Sequence, residues 1–252
     1  MTTRSWPEMA DWYDEKQGET GDLWHRTLLD PALFARVGEV AGRDVLDLAC
    51  GNGHNTRRLA RMGAHVVGVD ASEGVIAHCR EREEREPLGI TYYVSDAARL
   101  DMLAGASFDL VVCQMALMDI PDAESAIREV ARVLRPSGRL LAMILHPCFE
   151  IPEASGWVEE HMGPTTTIWR KVSRYSEPFI GWLHWRVDGG VVFMPSYHRP
   201  LSWYVRAFNA ARLAITAFDE PRPTEEFLAV RPDGSRFADV PLMCLFEAWK
   251  LG

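Results

Sequence analysis

The 252-residue chain has no apolar run of membrane-spanning length, no basic cluster and no paired-cysteine spacing. The first absence argues against a transmembrane helix, and no membrane partner is expected. The second comes with 36 Asp and Glu against 27 Lys and Arg, a formal net charge of -9, so no nucleic-acid partner is expected either. The five cysteines (Cys50, Cys79, Cys113, Cys148, Cys244) are odd in number and scattered, without C-x-x-C or Cys/His zinc spacing. Reduced thiols, no bound metal and a cytoplasmic location follow as expectations. Trp6, Glu8, Asp11 and Asp14 stand where a secretory leader would carry basic and then apolar residues, so no leader is expected. Internal repeats are absent too. What is present, 47% hydrophobic and 25% charged residues, suits one large α/β domain carrying an insertion.

The chain is organised around Val45-Leu46-Asp47-Leu48-Ala49-Cys50-Gly51-Asn52-Gly53-His54-Asn55-Thr56. Its first half reads as a buried strand running into a glycine turn, and its second half opens a helix with Asn55 or Thr56 as N-cap. Gly51 and Gly53 lack a Cβ, so a ligand can approach their backbone closely. A dinucleotide fingerprint, G-x-G-x-x-G, fails at Thr56, and Asp47 would repel a pyrophosphate. Seventeen residues beyond Gly53, the strand Ala64 to Val69 ends in Asp70, followed by Ala71-Ser72. An acidic residue at that strand end holds ribose hydroxyls. Two carboxylates so placed describe a ligand with a ribose and a positive end but no phosphate, which is S-adenosylmethionine (SAM).

These two stretches, residues 45–53 and 66–72, resemble the first two motifs of the class I SAM-dependent methyltransferases, within the small-molecule group similar to the ubiquinone and menaquinone methyltransferases. Ala49 takes the place of the family's first glycine. The resemblance covers residues 40–150 well. It implies a Rossmann-like sheet of seven strands, mostly parallel with the last antiparallel. It implies a helical cap over residues 1–40, a SAM-binding core over 41–149, and a C-terminal part of that core over 201–252. It also implies cofactor contacts for Asp47, Ala49, Gly51, Asn52, Gly53, Asp70, Ala71 and Ser72. Trp12-Tyr13-Asp14 is similar to an early Tyr-Asp pair whose tyrosine approaches SAM, which makes Tyr13 both a cofactor-binding and a catalytic candidate. His25 becomes a candidate for the cofactor carboxylate. After the strand Ile90 to Val94, Asp96 and Ala97 match the position facing the adenine. After the strand Phe108 to Cys113, Gln114 faces the methionyl end, with Met115 beside it as an acceptor-side residue.

The remaining elements follow in order. Arg135-Pro136-Ser137-Gly138 is a turn before the strand Arg139 to Leu145, which ends in His146. A histidine at the carboxyl edge of the sheet has a near-neutral pKa and can accept a proton, so His146 is the leading catalytic and substrate candidate. Residues 150–200 lose the helix–strand alternation and are dense in aromatics. Gly189-Gly190 between Trp182 to Val187 and Val191 to Met194 signals a hairpin, and the segment reads as an antiparallel β lid. Five of the nine tryptophans lie between residues 150 and 205. Trp182, Trp185, Tyr197 and His198 are the substrate candidates of a largely apolar acceptor site. A helix from Tyr197 to Arg212 and strands at Leu213 to Phe218 and Val240 to Trp249 complete the chain.

The expected activity is transfer of a methyl group from SAM to a small aromatic or heteroaromatic metabolite, at oxygen, nitrogen or carbon, by a monomer or homodimer. One alternative is a tRNA or protein methyltransferase; Gln114-Met115-Ala116-Leu117 in place of an Asn-Pro-Pro-Tyr-like motif weighs against modification of exocyclic amines in nucleic acid. A non-enzymatic SAM sensor would leave the lid unexplained. An NAD-dependent oxidoreductase is disfavoured by Asp47 and Thr56.

Overall fold

The computed structural model describes residues 2–163 and 165–252. Its strands in chain order are β1 (Thr2–Thr3), β2 (Asp44–Leu48), β3 (His65–Asp70), β4 (Thr91–Val94), β5 (Phe108–Gln114), β6 (Leu134–Leu145), β7 (Ser155–Met162), β8 (Thr165–Val172), β9 (Phe179–Val187), β10 (Gly190–His198), β11 (Leu213–Asp219) and β12 (Met243–Lys250). The helices of more than one turn are α1 (Ala10–Gln17), α2 (Asp30–Val37), α3 (His54–Arg61), α4 (Glu73–Arg85), α5 (Ala123–Val133), α6 (Leu201–Ala210) and α7 (Glu225–Val230).

Seven strands form one sheet in the order β11-β12-β6-β5-β2-β3-β4. Pairings within β4-β3-β2-β5-β6 are parallel, and β12 runs antiparallel to both β6 and β11. The seven-stranded α/β sheet with a reversed last strand is therefore present. Both faces are covered, which is why β2 and β5 read as near-continuous apolar runs. Side chains alternate between the two layers. Leu46, Leu48 and Phe246 join α5 and α6 residues such as Ile127, Val130 and Phe208 on one face. Val45, Leu245, Leu33, Leu59 and Ile76 fill the other. The strand order reverses beside β2, so the crevice for a ligand opens where β2 and β5 end.

Within the cap, a π-helical turn over His25–Leu29 runs straight into α2, whose first turn holds Pro31. Pro31 has no N–H to give the carbonyl four residues earlier, and that carbonyl, on Thr27, instead accepts the Thr224 hydroxyl at 2.6 Å. Thr224 also caps α7, receiving the amide of Phe227 at 3.2 Å.

The segment 150–200 is not one lid sheet but two hairpins. β7 and β8 pair alone, while β9, β10 and β1 form a second sheet in which β1 lies parallel to β10. The β9–β10 turn is Asp188-Gly189, both glycines having positive φ (Gly189 +90°, Gly190 +147°). The β7–β8 pair carried no turn signal that the sequence reading used. The helix expected from Tyr197 starts only at Leu201, because residues up to His198 stay in β10 and Pro200 is the N-cap.

At the β2–α3 turn the N-cap is Gly53, with φ +80°, rather than Asn55 or Thr56. A Cβ there would lie 2.9 Å from Cys79 Sγ and 3.0 Å from Tyr92 Oη. Gly53→Ala is therefore expected to destabilise the fold by roughly 1–3 kcal/mol, from strained φ and overpacking together. Urea denaturation of the two proteins measures it, and an unchanged midpoint would refute the close-approach argument.

Candidate functional site

A cavity of about 540 Å³ lies along the carboxyl ends of β2, β3 and β5, roofed by the cap and by β9. One end is polar. Asp70, at the tip of β3, accepts the Gly51 amide at 3.0 Å and the Ser72 amide at 2.9 Å. Burial raises its carboxyl above the ordinary range, against those amides, which favour the charged form. Ala49, Gly51, Ala71, Ser72, Asp96 and Ala97 line the same end. Ala49 sits at φ +55°, in the left-handed region where an L residue is strained. That strain lies at a turn that lines the cavity.

The cap closes over this floor. Tyr13 lies against Gly51, where a Cβ would meet its Oη at 3.1 Å. Its ring packs edge-on to Trp6 (5.4 Å), which packs on Trp185 (6.0 Å), which packs on Trp12 (5.8 Å). Lys16 Nζ stands 4.0 Å from the Trp185 ring centroid, a cation–π contact inside the cavity wall. Burial lowers the Lys16 pKa, opposed by Asp22. Asp22 in turn holds His25 through Nδ1 at 2.8 Å. Its burial would raise its own carboxyl, but the His25 contacts outweigh that and leave it below the usual carboxylate range.

The far end is largely apolar, with Met115, Met118, Ile120, Leu145, Leu183 and Trp185 around it and Asp119 set among them. Met115, at φ +55°, bends the chain sharply as it leaves β5. Gln114 is locked in place, accepting from Asn55 Nδ2 at 2.5 Å and donating to Asp30 at 3.1 Å.

Several sequence expectations need correction. Asp47 is 3% exposed and does not line the cavity. Alternation along β2 turns it into the α3 layer, where it accepts the Thr56 hydroxyl at 2.6 Å. Burial pushes its carboxyl up to about 7, with Thr56 pulling the other way. Asn52 donates to the Gly18 carbonyl at 2.6 Å, tying the turn to the end of α1, and Gly53 caps α3, so both shape the turn from outside the cavity. His146 is 2% exposed and also lies outside it. Its Nε2 is 2.8 Å from Glu220, its Nδ1 accepts the Cys148 amide, and its ring packs on Phe149 and Phe218. It orients the turn after β6 from outside the cavity lining.

Trp182 is turned away because Leu183 and Trp185 face inward and neighbouring strand positions alternate. Tyr197 stacks near the Arg199 guanidinium at 5.3 Å, and His198 Nε2 meets the Tyr175 carbonyl at 2.8 Å; neither lines the cavity. Tyr13, His25, Gln114, Met115 and Trp185 do line it.

Trp6, Lys16, Asp22 and Asp119 are cavity residues the sequence reading did not single out. Asp119 had a signal: it is the single charge in the apolar stretch Met115-Ala116-Leu117-Met118-Asp119-Ile120-Pro121 at a strand end. Among the described residues, no three His, Cys, Asp or Glu side chains gather as a metal site, and no helix is long and apolar enough to cross a membrane.

Comparison with known proteins agrees with this geometry. A family model described as a methyltransferase domain matches residues 46–142. An S-adenosylmethionine-dependent methyltransferase structure from Mesorhizobium loti is 30% identical, covering 87% of this chain and 96% of its own, with a TM-score of 0.73. A ubiquinone biosynthesis O-methyltransferase from Coxiella burnetii is 34% identical over 143 residues, 56% of this chain and 59% of that protein. A demethylmenaquinone methyltransferase from Beutenbergia cavernae is 41% identical over 119 residues, 47% of this chain and 45% of that protein. The chain thus spans less than two thirds of the length of these two curated relatives.

Burial lowers the His146 pKa, opposed by Glu220. A base with a lowered folded pKa contributes stability that is complete above its unfolded value, near 6.5, and lost as pH falls through the folded value. His146→Gln is expected to cost about 1–2 kcal/mol at pH 8 through the weakened Glu220 contact. It should also remove part of the wild-type loss of stability below pH 6.5. Denaturation at pH 5 and 8 reads both, and parallel losses in the two proteins would contradict the assignment.

Proposed function

This chain belongs to the SAM-dependent methyltransferases, and from that premise we propose that it methylates a small aromatic or heteroaromatic metabolite, leaving S-adenosylhomocysteine. The observation that carries the proposal is the continuity of one cavity. Its polar end presents Asp70, Ser72, Asp96 and Ala97, and its other end is an aromatic and thioether-walled chamber. The quinone compounds in the names of the two curated relatives support a ring-bearing acceptor.

The residues fit the cofactor. Asp70 has both oxygens aligned by backbone amides, which leaves lone pairs facing the cavity for a vicinal diol. Asp96 receives the Ala98 amide at 2.9 Å, which fixes its carboxylate beside Ala97 for an exocyclic amine. Gly51 and Ala49 offer backbone close to the turn, and Tyr13 with Trp6 covers it. His25, oriented by Asp22, is the cationic-capable group on the cap side for a carboxylate. The bound cofactor supplies a sulfonium methyl, an electrophile that needs no metal or covalent enzyme intermediate.

The protein's own contribution is alignment and exclusion of water. Holding two reactants in line contributes about 7–11 kcal/mol where the fit is good. Trp6, Trp185 and Lys16 close the roof, while Met115 and Met118 shape the floor. Asp47, buried behind the turn, places a titratable carboxyl under the cavity without touching it.

Isothermal titration with S-adenosylhomocysteine is expected to show binding, and NAD none. Asp70→Ala should weaken that binding roughly 10–100-fold, the loss of a charged hydrogen-bonding partner. Equal affinity in the variant, or preference for NAD, would overturn the cofactor assignment.

A further inference from the structure

The loop after β5 holds a carboxylate that the cofactor cradle does not use. Resting on the methyl-transfer reading above, we infer that Asp119 accepts the proton of a phenolic acceptor, with Arg199 as the residue that positions it. His146, the other candidate for this role, lies outside the cavity. Asp119 lines the same cavity as Asp70, in company with Trp6, Met118 and Trp185. Its Oδ1 is buried and, among the described residues, has no hydrogen-bond partner. Buried polar atoms without partners are rare and costly, and this one belongs to a residue of the cavity wall, which marks the Asp119 carboxylate as a candidate functional group.

The loop is built to hold this carboxylate still. Arg199 is buried and spends its guanidinium on backbone: Nη1 donates to the Leu117 carbonyl at 3.1 Å, and Nη2 to those of Ile120 and Pro121 at 2.8 Å each. The Tyr197 amide, on β10, donates to the Met118 carbonyl at 2.7 Å, and the Asp119 amide to that of Ala116 at 2.7 Å. The carbonyls of Leu117, Met118, Ile120 and Pro121 and the Asp119 amide are therefore tied down. The Arg199 charge goes mainly to carbonyls and not to the carboxylate itself.

Polar, charged and titratable groups surround Asp119 from each packed element. They are Ser196 on β10, Trp6 on the N-terminal segment, Arg199 before α6, Cys113 on β5 and Tyr204 on α6. Burial pushes its carboxyl up to about 7, while Ser196, Trp6 and Arg199 pull it down.

The chemistry selects the acceptor class. A neutral arylamine attacks a methyl group with a lone pair that is already free. A phenol oxygen is a weak nucleophile until its proton is removed, and its pKa lies near 10. A carboxylate a few units below that is matched to take the proton as the bond forms. In the balanced step the phenol O–H bond breaks and its proton passes to Asp119. The oxygen forms the new O–CH3 bond, and the C–S bond of S-adenosylmethionine breaks to leave S-adenosylhomocysteine. Asp119 then releases its proton to solvent as product leaves.

The test uses the full chain, methyl-labelled SAM, and catechol and 4-methylcatechol as probes, with 4-methylaniline as the amine control. Wild type should methylate the catechols with a rate that rises as pH passes through about 7, and should not methylate the aniline. Asp119→Asn should lose 10²–10⁴-fold in kcat together with that rising limb, while S-adenosylhomocysteine affinity by calorimetry stays within twofold. Asp119→Glu should keep the rising limb at reduced rate, and Arg199→Lys should lower kcat without abolishing the limb. An Asp119→Asn variant within tenfold of wild type and with the same pH profile would overturn the role. A wild type that binds S-adenosylhomocysteine but methylates neither catechol, or prefers the aniline, would overturn the acceptor class and the role with it. Failure to bind S-adenosylhomocysteine at all would instead refute the cofactor assignment beneath it.

Discussion

The site depends on one arrangement of hydrogen bonds: a single carboxylate, Asp70, receives backbone amides from two different loops. By accepting from Gly51 and Ser72 it fixes the turn after β2 relative to the turn after β3. Backbone amides aimed at one carboxylate hold both loops without relying on flexible side chains. Their cost is the burial of a negative charge, which the amides offset in part. Everything above this floor, from the position of Tyr13 to the width of the cavity, is measured from that fixed pair of turns.

A second constraint comes from above. The inserted hairpins do not lie loosely on the core, because β10 is bonded to the loop after β5 through Tyr197, and Arg199 continues that attachment into three carbonyls. The roof of the cavity and one of its walls are thus parts of the same hydrogen-bonded unit. Trp185 reaches the cap aromatics from that unit, so the N-terminal segment, the insertion and the core meet at one cluster of rings. Aromatic edge contacts of this kind add modest energy beyond burial. Their larger effect here is to bring three distant stretches of chain around one volume.

The sheet and the cofactor floor were legible in the sequence for a physical reason. Parallel strands buried on both faces must be apolar runs, and loops that approach a ligand must be glycine-rich or acidic at set places. Asp70 lies at a strand tip that such rules locate, while Ala71, Ser72, Asp96, Ala97 and Gln114 stand where the family resemblance puts them, and all six line the cavity. Asp47 shows the limit. Its position was readable, but whether a side chain at a strand end faces ligand or the neighbouring helix depends on the phase of alternation, and that phase is set by packing. The lid was less legible. Trp182 and Trp185 look equivalent in sequence, yet only one parity of β9 faces inward. His146 had the right residue type at the right edge and was claimed by Glu220, 74 residues away in sequence, a pairing no local pattern encodes.

Pro31 leaves the carbonyl of Thr27 without its usual helical donor, and the hydroxyl of Thr224 fills the vacancy while also starting α7. One side chain therefore serves as a latch between the beginning and the end of the chain. The latched turn flanks Trp24 and His25, both of which face the cavity. Loosening of the C-terminal helix would be felt at the mouth of the binding chamber nearly two hundred residues upstream, so the two ends of the polypeptide are expected to breathe together when ligand enters or departs.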